Sequence, residues 1–207
     1  MKKVIIILLL ASTFYFAQSG KVPPNSLLPN FKPFDTPRTN CRPGTVYRLD
    51  ENRVQFIVKD IKQIKGLVSN EGTLIGQMTF SRGDLLQILN LNFDLQFVTA
   101  EVEIKDVVRE FTEQSNVDQV LWEDEYAADL MTDEVSKYFI IRETISAKEI
   151  TFRFNNAAAA MLLTGKPSLK MKEPKEGEII DFPYSITKKY KEPKRLFFLD
   201  EKISYED

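Results

Sequence analysis

The sequence contains no histidine and a single cysteine, Cys41. Without histidine, the chain lacks the usual base that activates serine and cysteine nucleophiles and the commonest side-chain ligand of zinc. A single cysteine excludes an intrachain disulfide and any metal site built from cysteines alone. Two nearby arginines, Arg38 and Arg42, could make Cys41 reactive; the alternatives are an ordinary free or buried thiol and a cysteine that forms an intermolecular disulfide. Carboxylates remain as the main candidates for acid–base chemistry.

The chain also lacks a strong net charge, because 28 basic residues nearly balance 30 acidic ones. A net charge of −2 provides no overall field that would attract nucleic acid or anionic lipid. The apolar content of 43% is typical of a globular protein. At this length roughly 70% of the unfolded surface can be buried, so a core needs no disulfide or metal. We expect one α+β domain with no cofactor, no metal and no nucleic-acid partner.

Proline is absent between Pro43 and Pro167. Because proline is poorly tolerated inside strands and helices, this gap predicts an α+β core over residues 44–166. Residues 20–43 hold six of the ten prolines and are predicted to form an extended lead. Residues 167–207 are rich in proline and lysine, and we expect an irregular arm that ends in a strand.

The N-terminus has the pattern of a secretory signal peptide over residues 1–19. Lys2 and Lys3 precede an uncharged, mostly apolar run that is too short for a comfortable bilayer span. Small residues at Ala17 and Ser19 predict cleavage before Gly20. The start and end of this segment resemble those of Gram-negative bacterial exported proteins. We expect export to the periplasm, the outer membrane or the medium, with no transmembrane span in the mature chain; an uncleaved anchor or a buried strand are the alternatives.

Two similar segments, residues 97–111 and 139–154, organise the predicted core. Each alternates apolar and polar residues with a period of two, which is typical of a strand with one buried and one wet face. The alternation slips at Lys105 and Asp106 in the first segment and near residues 147–149 in the second, which requires a bulge or a tight turn. We favour two hairpins packed in one antiparallel sheet. A true duplication and two independent amphipathic strands both remain open.

Other local signals predict turns and helices around these segments. A hairpin is expected around residues 50–52, and a second turn at Asn70-Glu71-Gly72. Ser81 and Asp84 have the spacing of a capping box that begins a helix. Two further helices are expected over 117–131, which has an acidic side, and 155–165. That acidic side lacks the pattern of a calcium loop, so we interpret it as a solvated face.

The function that these patterns favour is that of an exported, non-enzymatic protein of the envelope or medium, which binds another protein or a surface polymer. One alternative is a carboxylate-dependent hydrolase acting on glycans, because Glu101 and Glu143 occupy equivalent positions in the two segments. Another is a membrane-acting protein that inserts β-hairpins, which the many charges on the wet faces oppose. We assign no catalytic, cofactor-binding or metal-binding residue to the favoured function; Glu101 and Glu143 are candidates only under the hydrolase alternative.

Overall fold

The computed structural model describes residues 27–49, 55–91, 95–123, 138–163 and 169–203. The predicted signal peptide and the turn at 50–52 lie outside this part of the chain. The described residues form a mainly antiparallel sheet with short helices, which confirms the α+β class. The strands are β1 Lys32–Arg38, β2 Thr45–Leu49, β3 Gln55–Asp60, β4 Leu67–Ser81, β5 Phe97–Phe111, β6 Tyr138–Phe154, β7 Lys170–Met171 and β8 Tyr184–Lys202. The helices are α1 Arg82–Leu89, α2 Gln114–Glu123 and α3 Asn156–Leu163.

The long strands lie in the order β4–β5–β6–β8, and every pairing is antiparallel. On the far side of β8, β7 pairs with the beginning of the strand and β1 pairs near its end. On one side of β6, the first residues of the strand pair with β2 and the later residues pair with β5. β3 pairs with β2. Two long borders result, formed by β4 at one side of the sheet and by β8 with its short partners at the other.

The two similar segments are β5 and β6, and each is one continuous strand rather than a hairpin. The expected turns are therefore wrong, and the alternative of a bulge accounts for the phase slips. Asp106 has a positive φ of 54° where the register between β4 and β5 shifts. The ladder between β6 and β8 shifts between Ala147 and Glu149, at the same level of the sheet. The slips thus mark one line along which neighbouring strands bend together.

The turn predicted at Asn70-Glu71-Gly72 is also wrong, because these residues lie inside β4. The β4–β5 register shifts on both sides of Gly72, whose φ of 69° is accessible to glycine without a steric cost. These turn-forming residues therefore form a β-bulge in β4, at the same level of the sheet as the register shifts described above. Continuous pairing with β5 keeps the chain extended on both sides of it.

One face of the sheet is packed as the main core. The buried side chains of β5 and β6 alternate as the sequence predicts, and they include Val102, Ile104, Ile150, Phe152 and Phe154. Burying a side chain of this size stabilises the fold by about 1.5–3 kcal/mol. Residues of α1 and α3 cover this face, including Leu85 and Leu162. The opposite face of the same strands carries the charged residues.

The predicted starts of α1 and α3 agree with the structure. Ser81 and Asp84 form the expected capping box at α1, with each side chain bonded to the other residue's backbone N–H. Asn155 caps α3, because its side chain accepts a hydrogen bond from the Ala158 N–H at 2.9 Å. The second predicted helix is seen as α2, Gln114–Glu123, which begins three residues before the predicted start at Val117; the rest of its predicted range lies outside the described residues. These helix starts depend on local hydrogen bonds, which the sequence encodes directly.

The predicted irregular arm differs most from the structure. Its longest described element is β8, a strand of 19 residues that pairs with β6 along most of its length. Lysine and proline suggested a loop, yet the buried residues Ile186, Leu196 and Phe197 attach the strand to the core. The expected strand end is confirmed within β8, and the expected irregularity is confined to the preceding residues and to a bulge at 190–193.

The proline-rich lead crosses the sheet from one border to the other. The Leu27 N–H donates to the Gln77 carbonyl of β4 at 3.1 Å, and five residues later Lys32 pairs with Phe198 of β8. Leu28 is buried against the main core between these two points. We call residues 27–31 the crossing segment. It connects the two borders of the sheet through the buried face.

Candidate functional site

The structure separates the two carboxylates that were candidates for hydrolysis. Glu101 lies opposite Arg153 near one end of the β5–β6 ladder, and Glu143 lies opposite Phe111 at the other. Ten residues of β5 separate these positions, which corresponds to about 30 Å. A glycosidase pair requires roughly 5–9.5 Å between its carboxyl groups. Antiparallel pairing explains the result, since equivalent positions of two antiparallel strands lie at opposite ends.

Each of these carboxylates is also occupied by an arginine. Arg153 Nη1 donates to Glu101 at 2.8 Å, and its Nη2 bonds to Glu103. Arg109 donates through Nε and Nη2 to one oxygen of Glu143, at 2.9 and 2.6 Å. These bonds engage the carboxylate oxygens of Glu101 and Glu143 within the protein. Both are cross-strand ion pairs of the β5–β6 pairing.

The ion pairs extend across the sheet as a ladder. Glu149 on β6 receives hydrogen bonds of 2.8 Å from Lys105 on β5 and from Lys189 on β8. These two ammonium groups lower the pKa of Glu149 to about 2. The residues of the ladder are exposed or half-buried, so we expect it to set strand register more than overall stability.

A shallow depression of about 340 Å³ lies beside this ladder. Leu169, Lys170, Ser185, Thr187 and Lys189 line it. Lys189 already bonds to Glu149, and the Thr187 hydroxyl lies 2.9 Å from that of Thr151. These polar groups are largely satisfied within the protein and provide no focus for a ligand.

Cys41 is buried in a separate small core with Phe34, Tyr47 and Phe198. Arg38 donates a hydrogen bond of 3.5 Å to its sulfur, but burial outweighs this effect and raises the pKa of the thiol. A raised pKa and low exposure make a thiol unreactive. Of the three interpretations of Cys41 from the sequence, its buried position supports the ordinary buried thiol. Among the described residues, no group of three or more acidic or cysteine side chains is placed to hold a metal ion.

The border formed by β4 has a different character from these satisfied sites. The strand pairs with β5 on one side, and among the described residues only Leu27 bonds to its outer side in a backbone contact, at Gln77. Three large apolar side chains of β4 are exposed: Leu67 at 46%, Val68 at 64% and Ile75 at 59%. We call the stretch from Leu67 to Ile75 the open edge. No sequence signal identified it, because exposure depends on which strands end the sheet.

The sequence matches no protein-family model and none of the curated proteins. Among solved structures, a bacterial gasdermin from Bradyrhizobium tropiciagri is similar, with a TM-score of 0.46 and 12% identity. The match covers 86% of this chain and 84% of that one. A likeness this distant carries no argument about function. Of the helices that the structure describes, none is long and apolar enough to cross a membrane.

Proposed function

We propose that this chain is an exported, non-enzymatic protein of the cell envelope or medium that binds a partner protein. The observation that carries this proposal is the open edge, where exposed apolar side chains lie on a sheet border. Solitary exposed apolar residues are common, but three on one free strand suit a binding surface. The proposed export depends on the signal-peptide pattern of residues 1–19.

The alternative of a glycan hydrolase loses its main support. Its two candidate carboxylates, Glu101 and Glu143, lie too far apart to act on one bond, and arginines occupy both. We expect the purified protein to release no reducing ends from cell-wall glycans. Turnover that disappears in Glu101→Gln or Glu143→Gln, with the fold intact, would contradict a non-enzymatic role.

Export has its own test, independent of any partner. The full chain, carrying a C-terminal tag, is expressed in a Gram-negative host and the cells are fractionated. We expect the mature protein in the periplasmic, outer-membrane or medium fraction, with an N-terminal sequence beginning at Gly20. A cytoplasmic protein that still begins at Met1 would refute export.

Partner binding is tested by cross-linking in intact cells followed by purification of the tagged chain. We expect one protein to be recovered in near-stoichiometric amount. When that protein is tagged and purified instead, we expect it to recover this chain. A repeated result with no specific cross-linked protein would contradict the proposed function. A recovered polysaccharide in place of a protein would also contradict it.

A further inference from the structure

The open edge has unused hydrogen-bonding groups along its backbone. In an antiparallel ladder alternate residues bond to the neighbouring strand, so the remaining N–H and C=O groups of β4 point away from β5. Leu27 uses one of these groups, at Gln77. Gln77 lies beyond the open edge, and in the described part of the chain no backbone bond of this kind reaches the stretch from Leu67 to Ile75 itself. Nine extended residues span about 30 Å, enough for a strand of ordinary length.

This edge also lacks the usual protection against strand addition. Natural sheets commonly shield a free edge with lysine, proline or a bulge. Within β4 there is no lysine, arginine or proline, and Glu71 is the single charged residue. The bulge beside Glu71 belongs to the bend line that β5, β6 and β8 share, so an added strand can follow the same bend. An edge that evolution leaves unprotected is explained if a partner strand covers it.

The side chains along the edge indicate what the partner strand contains. Val68 lies opposite Glu110 and Ile75 lies opposite Glu103, and both glutamates are neutralised by arginines. Apolar partner side chains beside Val68 and Ile75 would therefore be buried without leaving a charge unpaired. Glu71 has no basic partner among the described residues and favours a lysine or arginine beside it.

A second copy of this chain fits the edge poorly. Glu71 is the midpoint of the stretch from Leu67 to Ile75, so a two-fold pairing over its whole length places Glu71 beside its own copy. Like charges directly opposite each other destabilise a strand pair. The charge pattern favours a different polypeptide.

We propose that the open edge binds an extended segment of a partner protein as an additional strand, with apolar side chains beside Val68 and Ile75 and a basic side chain beside Glu71. Backbone hydrogen bonds supply affinity in this mode, and the side chains supply specificity. The inference rests on the proposed function, because it assigns the site and the chemistry of the proposed partner.

The direct test uses the full chain and a fluorescent nine-residue peptide of sequence Val-Thr-Lys-Thr-Lys-Thr-Lys-Val-Thr, which in antiparallel pairing over the open edge places valines beside Ile75 and Val68 and a lysine beside Glu71. We expect the peptide to bind and to slow amide hydrogen exchange in residues 67–75. Methylation of alternate backbone nitrogens of the peptide should weaken binding by at least about tenfold, because it removes the strand hydrogen bonds. Replacing its lysines by glutamates should also weaken binding. No binding, equal binding of the methylated peptide, or protection confined to other residues would each overturn the proposal.

Variants of the protein locate the site. Val68→Lys and Ile75→Lys add a shielding charge at exposed positions, so the fold should be retained and peptide binding should fall by about tenfold. Ile57→Lys is the matched control, since Ile57 is a 42% exposed apolar residue of β3, outside the open edge. Its binding should equal that of the unchanged protein. An equal loss in all three variants would overturn the assignment to β4.

Two further results separate this inference from the proposed function. If the unchanged chain and Val68→Lys capture the same partner in cells, the proposed function stands and the assignment to the open edge fails. If the unchanged chain captures no partner, the proposed function fails even where the peptide binds. Light scattering that shows a dimer abolished by Val68→Lys would identify a second copy as the occupant and overturn the choice of a different polypeptide.

Discussion

The two long borders of this sheet treat their exposed backbone in opposite ways. Along β8, the outer side between the pairings with β7 and β1 carries Lys188, Lys189, Lys191, Pro193 and Lys194. Each of these is a recognised means of discouraging strand addition. The open edge of β4 has none of them and exposes apolar side chains instead. The lysines of β8 therefore need no polyanionic ligand to explain them, and the undefended edge is the one to examine for partners.

The largest predicted effect tests whether the two borders unfold together as one cooperative unit. Phe152 is fully buried on β6, between them. We expect Phe152→Ala to lower the free energy of unfolding by about 3–5 kcal/mol, because a large cavity would remain. Denaturant unfolding measures this change. Hydrogen exchange should accelerate in β4 and β8 together, and acceleration at one border alone would show that the borders unfold independently.

A substitution in the crossing segment weakens the connection between the borders with a smaller loss of stability than Phe152→Ala. Leu28→Ala removes a side chain buried in the main core, so we expect a loss of about 2–4 kcal/mol. Exposed Leu67 provides the control, with a change within about 0.5 kcal/mol on replacement by alanine. Urea unfolding of both variants measures the difference. A similar cost at the two positions would show that the crossing segment does not pack as described.

Removing the shielding residues of β8 should make that border resemble β4. We expect Lys191→Val combined with Pro193→Val to cause self-association that increases with protein concentration, measured by light scattering. The control is Lys62→Val with Lys65→Val, which removes two exposed lysines between β3 and β4. Equal association in both double variants would attribute the effect to lost charge and not to an unshielded edge.

The smallest predicted effect concerns the ion pairs of Glu149, which join β5, β6 and β8. Lys105 and Lys189 lower the pKa of Glu149, so the ionised form is favoured in the folded state. Its contribution to stability is present above pH 4.5, the ordinary value, and is lost as the pH falls towards about 2. In Glu149→Gln this part of the pH dependence should be reduced, as thermal unfolding between pH 2 and pH 6 would measure. An unchanged profile would show that the ladder does not couple to folding.

The sequence predicted those features that depend on near neighbours. The capping box at Ser81, the asparagine cap of α3 and the alternation in β5 and β6 are each encoded within a few residues.

Long-range pairing decided the features that were predicted wrongly. Asn70-Glu71-Gly72 has the composition of a turn, but its pairing with β5 makes it a bulge. The lysines and prolines of the C-terminal region resemble a loop, but β6 supplies a partner along nearly all of β8. The separation of Glu101 from Glu143 follows from the antiparallel direction of the two strands, which no local pattern encodes. The open edge is likewise a property of strand order.

The single thiol, Cys41, provides a chemical probe of local opening in the native protein. Cys41 is enclosed where the chain passes from β1 to β2, and no other sulfhydryl competes with it for reagent. The rate at which a thiol reagent labels the native protein therefore reports how often the small core around Cys41 opens. This labelling rate can be compared with and without a strand bound at β4. A difference would show that binding at one border of the sheet changes the opening of the core near the other border.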